Sequence, residues 1–198
     1  GLKMLLDLPF DISTLRATYG AGASPADIVH EVYRRIKVLD DPGIFILLRD
    51  ETDVVEEAEA LGIKPPSNTP LWGIPFVIKD NIDSVGLSTT AACPAFAYTP
   101  SEDAFVVSRL RMAGALLIGK TNLDQFATGL VGTRTPFPVP KNAIDPLIVP
   151  GGSSSGSAVA VAQGLVSFSL GTDTAGSGRV PAALNGIVGL KPSLGLSL

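Results

Sequence analysis

Residues 73–83, GIPFVIKDNID, decide the fold class of this 198-residue chain. The apolar run IPFVI at residues 74–78 predicts a buried strand. Two further short apolar runs, ALLIG at residues 115–119 and VSFSL at residues 166–170, predict strands as well. Helical patterns and glycine turns separate these runs. This alternation predicts an α/β fold with a largely parallel or mixed sheet flanked by helices.

Helical patterns lie on both sides of the predicted strands. Ser24, Pro25 and Asp27 form a helix start, and an apolar face follows to about Val38. Further helices are expected at residues 51–61, at 101–112 with Ser101 as the cap, at 122–127, and from residue 157. The loop KPPSNTP at residues 64–70 predicts a boundary between a helical N-terminal arm, residues 1–64, and the first part of an α/β core, residues 65–198.

The composition excludes several classes of function. A net charge of −4 and a pI near 4.9 leave no basic stripe, so neither nucleic acid nor a membrane is an expected partner. One cysteine, Cys93, and one histidine, His30, are too few for a disulfide framework or a structural zinc site, and we expect no metal or cofactor. The N-terminal segment lacks a signal-peptide pattern, so a cytoplasmic location is expected. The mean hydropathy of +0.35 indicates an extensive buried sheet or a covering part outside this chain.

Residues 114–121, GALLIGKT, match the pattern of a nucleotide-binding P-loop. In a P-loop the four variable residues form a loop whose N–H groups face phosphate. Here those residues are Ala-Leu-Leu-Ile, which favour a buried strand. We therefore interpret the segment as a strand and not as a nucleotide site.

The segment PGGSSSGSAVA at residues 150–160 places serines between glycines ahead of a small-residue helix. Its GSSSG part matches the G-x-S-x-G nucleophile elbow with Ser154 at the centre, but that motif requires a histidine further along the chain. His30 is the only histidine, and it is predicted to be structural or exposed. Cys93 has no evident base beside it and is predicted to be a small buried hydrophobe.

Lysine remains as the candidate base for a catalytic serine. Lys79 ends the predicted strand IPFVIK, so its amine is expected at the carboxyl edge of the sheet, where α/β proteins place their sites. A buried site disfavours the charged amine, which allows the neutral form to act as a base. Residues 171–183, GTDTAGSGRVPAA, predict a small-residue turn that aims N–H groups at an oxyanion, with Ser177 in its middle.

Together, GIPFVIKDNID, GGSSSGS and GTDTAGSGRVPAA followed by GIVGLKP resemble the amidase signature family, over about residues 71–192. The resemblance implies an amide hydrolase with a Ser-cisSer-Lys triad: Ser177 as nucleophile, Ser153 as bridging serine and Lys79 as base. It also implies an oxyanion hole made by the N–H groups of Thr174, Ala175, Gly176 and Ser177. The remaining serines, Ser154, Ser155 and Ser157, are then assigned to hydrogen bonds of the turn and helix start.

TAGSGR at residues 174–179 and GLVGTRTPF at residues 129–137 resemble the allophanate hydrolase branch of this family. That resemblance implies a small-molecule amide substrate, allophanate, cleaved with release of ammonia and carbon dioxide, and it puts Gly129 beside the substrate. It further implies a homodimer in the full-length protein. Members of the family have an amidase domain more than twice as long, so this chain is expected to be its N-terminal portion, with doubtful activity when isolated.

Three alternatives to an allophanate hydrolase stay open at this stage: a glutaminase subunit, another amidase of the amidase signature family, and a protein without turnover. A glutaminase subunit of a tRNA-dependent amidotransferase shares the triad and passes ammonia to a partner. A non-catalytic binding module or an inactive relative keeps the fold without turnover. Substrate preference distinguishes the first alternative, and tight ATP binding that depends on Lys120 would favour a nucleotide-binding module.

Overall fold

The structure is a computed structural model that describes residues 5–123, 135–141 and 155–170, apart from the side chain of Phe96. Its helices are α1 (Ile12–Gly20), α2 (Pro25–Leu39), α3 (Glu51–Ala60), α4 (Phe105–Met112) and α5 (Ser155–Ala162), with a short 3₁₀ turn at Pro94–Phe96. Its strands are β1 (Phe45–Leu48), β2 (Pro75–Lys79), β3 (Leu116–Thr121) and β4 (Phe168–Leu170). None of these helices has the length and apolar character needed to cross a membrane.

The strands form one sheet in the order β1-β3-β2-β4. β2 runs parallel to both β3 and β4, and β1 pairs with β3 in the antiparallel direction. The predicted mixed sheet flanked by helices is therefore confirmed. A register shift between Phe76 and Val77 sets the pairing at the end of β2, where Lys79 lies opposite Thr121.

Two hydrophobic clusters cover opposite faces of the sheet, because successive strand side chains point to opposite sides. Val77 and Ile118 pack with α1, α2, α3 and α5 on what we call the α5 face. Phe76, Ile78 and Leu117 pack with α4 on the opposite face, the α4 face. Both faces of β2 and β3 are buried, which explains why each strand begins as a run of apolar residues and does not alternate with polar ones until its carboxyl end.

Helix α2 begins at the predicted position. The side chain of Ser24 accepts a hydrogen bond from the N–H of Asp27, and the carboxylate of Asp27 accepts one from the N–H of Ser24, which together form a capping box. The helix then buries Ile28, Val29 and Val32 against the core. The start of α2 is thus determined by local sequence and its orientation by the apolar face.

A cluster of charged residues, the Glu31 cluster (Glu31, Arg34 and Arg35), ties α2 to other parts of the chain. Glu31 is only 6% exposed, and it accepts hydrogen bonds from both arginines. Arg35 also donates to the carbonyl oxygens of Leu5, Leu8 and Gly164 and lies over the ring of Phe10. The guanidinium groups therefore join the N-terminal segment to the turn that follows α5.

The structure differs from the sequence-based prediction at three elements. Residues 1–64 were predicted to be helical, but β1 lies within them and pairs with β3; the boundary near residue 64 stays a prediction. Ser101 does not cap α4, which begins four residues later at Phe105; its N-cap residue is Ala104, which has no side chain able to accept a capping hydrogen bond. Asn122 and Leu123 are not helical, and the rest of the predicted helix at 122–127 lies outside the described residues.

Candidate active site

Lys79 is the last residue of β2 and is fully buried. Because β2, β3 and β4 are parallel, their carboxyl ends meet at one edge of the sheet, and Lys79 lies at that edge. Its register partner is Thr121, the last residue of β3. Paired residues of neighbouring strands share a face, so Lys79, Thr121 and Val77 all belong to the α5 face.

Two hydroxyl groups join the end of β3 to the first turn of α5 on this face. Oγ1 of Thr121 lies 2.6 Å from Oγ of Ser157, and both side chains are buried. Thr121 also donates to the carbonyl oxygen of Ile78 at 3.2 Å. A hydroxyl has one proton, so Ser157 donates to Thr121 whenever Thr121 donates to Ile78. The first turn of α5 is therefore fixed beside the strand end that carries Lys79.

The start of α5 also packs closely against the backbone after β3. The N–H of Gly156 donates to the carbonyl oxygen of Asn122 at 3.0 Å, and the hydroxyl of Ser155 donates to the same oxygen at 3.4 Å. A Cβ at Gly156 would collide with the carbonyl oxygen of Ile44 and lie 2.6 Å from the nitrogen of Asn122. Glycine is required here by this approach. The predicted helix-start roles of Ser155 and Ser157 are confirmed.

Asn122, directly after β3, is a buried residue beside the site whose structural role sequence reasoning missed. Its side-chain amide donates to the carbonyl oxygens of Gly43 and Pro138, and its Oδ1 accepts from the N–H of Leu123 and the hydroxyl of Thr135. A buried amide with this many partners fixes several segments at once. The only signal in the sequence was a polar residue directly after a strand, which does not reveal partners so far along the chain.

On the opposite α4 face, Asp80 and Lys120 form a buried ion pair. Nζ of Lys120 lies 3.4 Å from Oδ1 of Asp80, and neither side chain is exposed to solvent. The same Nζ donates to the hydroxyl of Thr89 at 2.6 Å and to the carbonyl oxygen of Ser88 at 3.1 Å. Burial lowers the pKa of the Lys120 amine below its ordinary value, and the negative charge of Asp80 opposes that effect.

The second oxygen of Asp80 holds the turn that follows β2. Oδ2 accepts hydrogen bonds from the N–H and the hydroxyl of Thr90 and a longer one, 3.5 Å, from the N–H of Ala92. Ala91 and Ala92 both have positive φ, 49° and 61°, which disfavours residues with a side chain. The contacts to Asp80 thus keep this turn in a conformation that local preference opposes.

The structure confirms that the P-loop pattern is a strand. Residues 116–121 form β3, and Lys120 is enclosed with Asp80, so its amine does not face a phosphate-sized opening. A Cβ at Gly119 would lie 2.5 Å from the carbonyl oxygen of Leu47. The glycine that completed the pattern is therefore needed for the close pairing of β1 with β3.

His30 and Cys93 show no catalytic arrangement. His30 is 56% exposed and pairs with Glu51 at 2.8 Å, which confirms the exposed role predicted for it. Cys93, predicted to be buried as a small hydrophobe, is half-buried, and it directly precedes the short 3₁₀ turn at Pro94–Phe96.

The other predicted site residues lie outside the described residues. They are Gly129, Ser153, Ser154, Thr174, Ala175, Gly176 and Ser177. Their roles stay predictions. The described residues fix the position of Lys79 relative to α5. The first residue of α5 is Ser155, which follows Ser153 by two positions.

Comparison with known proteins identifies the family of this chain. A family model described as Amidase matches residues 27–197. The chain belongs to the amidase family. This confirms the predicted family membership, and the match spans all three sequence blocks on which that prediction rested.

Individual members of the amidase family match the chain closely. A urea amidolyase from Lachancea kluyveri is 56% identical over 158 residues, which are 79% of this chain and 9% of that protein. A glutamyl-tRNA(Gln) amidotransferase subunit from Exiguobacterium sp. is 47% identical over 173 residues, 86% of this chain and 36% of that protein. The solved structure of a variant of Kluyveromyces lactis allophanate hydrolase has a TM-score of 0.80 at 44% identity, covering 92% of this chain and 30% of that one. The chain thus spans well under half the length of these relatives.

Proposed function

We propose that this chain is part of a serine amide hydrolase whose substrate is allophanate and that it supplies the catalytic base, Lys79. One observation carries the proposal: Lys79 is fully buried at the carboxyl end of β2, on the face covered by α5. Helix α5 starts two residues after Ser153, and the hydroxyl pair of Thr121 and Ser157 holds that start against the strand end. Buried surroundings of this kind favour a neutral amine, which a base requires.

In the proposed reaction Ser177 attacks the amide carbonyl while its proton passes through Ser153 to Lys79. The resulting oxyanion is stabilised by the N–H groups of residues 174–177. The tetrahedral intermediate then collapses, the proton moves from Lys79 through Ser153 to the leaving nitrogen, and ammonia departs. Water attacks the acyl-enzyme and releases the acid. Gly129 is proposed to line the substrate side of this site.

The substrate is proposed from the relatives. Urea amidolyase from Lachancea kluyveri is 56% identical and the Kluyveromyces lactis allophanate hydrolase has a TM-score of 0.80, and both support allophanate. The 47% identity to the glutamyl-tRNA(Gln) amidotransferase of Exiguobacterium sp. supports a second candidate, a glutaminase that passes ammonia to a partner. We further propose a cytoplasmic homodimer for the full-length protein, which size-exclusion chromatography with light scattering tests.

Ammonia release by the full-length protein tests the proposal, with allophanate, glutamine and a long-chain fatty amide compared at equal concentration. We expect release from allophanate alone, since a site built to pair polar groups rejects analogues that lack them. Ser177→Ala is expected to lower turnover by at least about 10³-fold, because the members of a triad act as a unit. Lys79→Arg is expected to be as inactive, since a guanidinium group does not release its proton in this range.

Three results would contradict parts of this proposal. A covalent acyl adduct detected by mass spectrometry in the Ser177→Ala protein would overturn the assignment of the nucleophile. Near-normal turnover by the Lys79→Arg protein would overturn the assignment of the base. A preference for glutamine, together with copurification of a second protein chain, would replace allophanate hydrolysis by the second candidate.

A further inference from the structure

The pair formed by Asp80 and Lys120 has no role in the reaction described above, although it directly adjoins Lys79. Asp80 follows Lys79 in the chain, so their Cα atoms are about 3.8 Å apart. Alternation places Asp80 on the α4 face, where Lys120 lies, and Lys79 on the α5 face. A buried carboxylate therefore lies one residue from the group that is proposed to act as a neutral base.

An unpaired carboxylate on the neighbouring residue would oppose the proposed chemistry, even from the other face of the sheet. A nearby negative charge favours the protonated form of an amine, and it acts more strongly in the interior than in water. Oδ2 of Asp80 is already taken up by hydrogen bonds from the N–H and hydroxyl of Thr90 and from the N–H of Ala92, none of which carries a charge. A positive charge on the other side of Asp80 is needed to cancel its effect on Lys79.

We propose that Lys120 keeps Lys79 available as a base by neutralising the buried carboxylate of Asp80. This inference rests on the proposed function, because it assigns to Lys120 an electrostatic role in that same site. Lys120 suits the role because it is fully enclosed and its Nζ is held by Asp80, Thr89 and the carbonyl oxygen of Ser88. It is a positioning residue, since it acts on Lys79 through Asp80 and does not touch the substrate.

Other titratable groups around β2 do not replace this pair. Within the described residues, α5 and β4 carry no titratable side chain, and Lys120 is the titratable residue of β3. The turn after β2 contributes Asp83, which accepts hydrogen bonds from Thr89 and Tyr98, and also the half-buried Cys93. Helix α4, against the face of Asp80, carries Arg109 near the ring of Phe105 and Arg111 near Asp103 and Glu57. Lys120 is thus the cation in direct contact with Asp80 among these groups.

The test measures how the rate of the full-length protein depends on pH. Two rates are followed: turnover of allophanate, as kcat/KM, and covalent labelling of the active serine by a fluorophosphonate. Lys120→Met is expected to move the midpoint of the rising limb of both profiles upward by on the order of one pH unit. At pH values below the midpoint this corresponds to a roughly tenfold lower rate.

Three further variants separate electrostatics from folding. Lys120→Gln removes the charge and keeps a polar partner for Thr89, so it carries the test if the Lys120→Met protein does not fold. The double variant Asp80→Asn with Lys120→Met removes both charges and is expected to return the midpoint to within a few tenths of a unit of the parent. Glu31→Gln removes a buried charge far along α2 and is expected to lower the melting temperature without moving the midpoint.

The outcomes are distinguishable. A folded Lys120→Gln protein with the parent's midpoint would overturn the inference and leave the proposed function intact, as would a double variant that keeps the upward shift. Labelling without turnover of allophanate would contradict the substrate alone, and the labelling profiles would still decide the role of Lys120. A parent protein that shows neither labelling nor turnover would overturn the proposed function and this inference with it.

Discussion

Among the described residues, the Glu31 cluster and the pair of Asp80 and Lys120 each bury opposite charges, and they stabilise the protein in different ways. The Glu31 cluster joins one carboxylate to two guanidinium groups, and Arg35 uses its remaining donors on carbonyl oxygens of distant segments. The pair of Asp80 and Lys120 joins one carboxylate to one amine near the ends of β2 and β3, and neither side chain is exposed to solvent. Arginine supplies several fixed donors, whereas lysine is a point charge that can lose its proton when buried. The first arrangement suits the joining of chain segments, and the second suits the control of charge beside a site.

The largest effect is expected where a buried charge loses the partner of opposite charge that it contacts. Asp80→Ala leaves the amine of Lys120 without its carboxylate and the turn at Thr90 without its acceptor. The free energy of unfolding is expected to fall by about 3–5 kcal/mol, the range for breaking a buried ion pair. Chemical denaturation measures this change. A loss as small as that of an exposed ion pair would show that Asp80 contributes little to the fold.

A smaller effect is expected in the Glu31 cluster, because its arginines keep other partners. Glu31→Ala leaves Arg35 with three carbonyl oxygens and Arg34 partly in solvent. We expect the free energy of unfolding to fall by about 2 kcal/mol, in the range for a hydrogen bond to a charged group. Denaturation of the Glu31→Ala and Asp80→Ala proteins in parallel gives the order of the two effects, and a reversed order would contradict the comparison.

The pH dependence of stability sharpens the contrast further. Burial alone raises the pKa of Glu31, but hydrogen bonds from Arg34 and Arg35, together with their charges, bring that pKa below its ordinary value. A carboxyl whose pKa is lower in the folded state contributes stability above its unfolded pKa and loses it as the pH falls through the folded pKa. The difference in stability between the parent and Glu31→Gln should therefore shrink on acidification below about pH 4.5. A difference that stays constant from pH 7 to pH 3 would exclude this linkage.

The smallest effect is expected at the exposed pair between α2 and α3. His30 and Glu51 lie 2.8 Å apart, but both side chains reach solvent. His30→Ala is expected to change the free energy of unfolding by no more than about 0.5 kcal/mol, because water screens such pairs. Thermal melts in low and high salt check this, with Glu51→Gln as the matched variant. A loss comparable with that of Glu31→Ala would show that exposure does not govern these pairs.

Local patterns predicted most of the elements because their signals are contained in a few consecutive residues. The capping box at Ser24 and the apolar runs that became β2 and β3 needed no distant information. The prediction of Ser101 as a cap failed because a serine before a helical pattern does not show which of several extended residues starts the first turn. Strand β1 was missed because its four residues lie between two helices and gain a strand partner only from β3.

The residues of the candidate site likewise include some that the sequence revealed and others that only the structure revealed. Lys79 was identified because it ends an apolar strand and because a catalytic serine with no histidine further along the chain requires another base. Asn122 and the pair of Asp80 and Lys120 were not identified, since their partners are separated from them by tens of residues. Lys120 was considered only as part of a P-loop pattern that the structure shows to be a strand.

The sequence by itself determined the α/β alternation, the buried character of β2 and β3, and the position of Lys79 at the end of its strand. Each of these follows from hydrophobic pattern and chain order. Only the tertiary structure decided which side chains share a face, because the register shift between Phe76 and Val77 fixes what lies beside each strand end. A slip of one residue would exchange the two faces. Register therefore places Lys79 with α5 and leaves Asp80 to pair with Lys120 on the other side of the sheet.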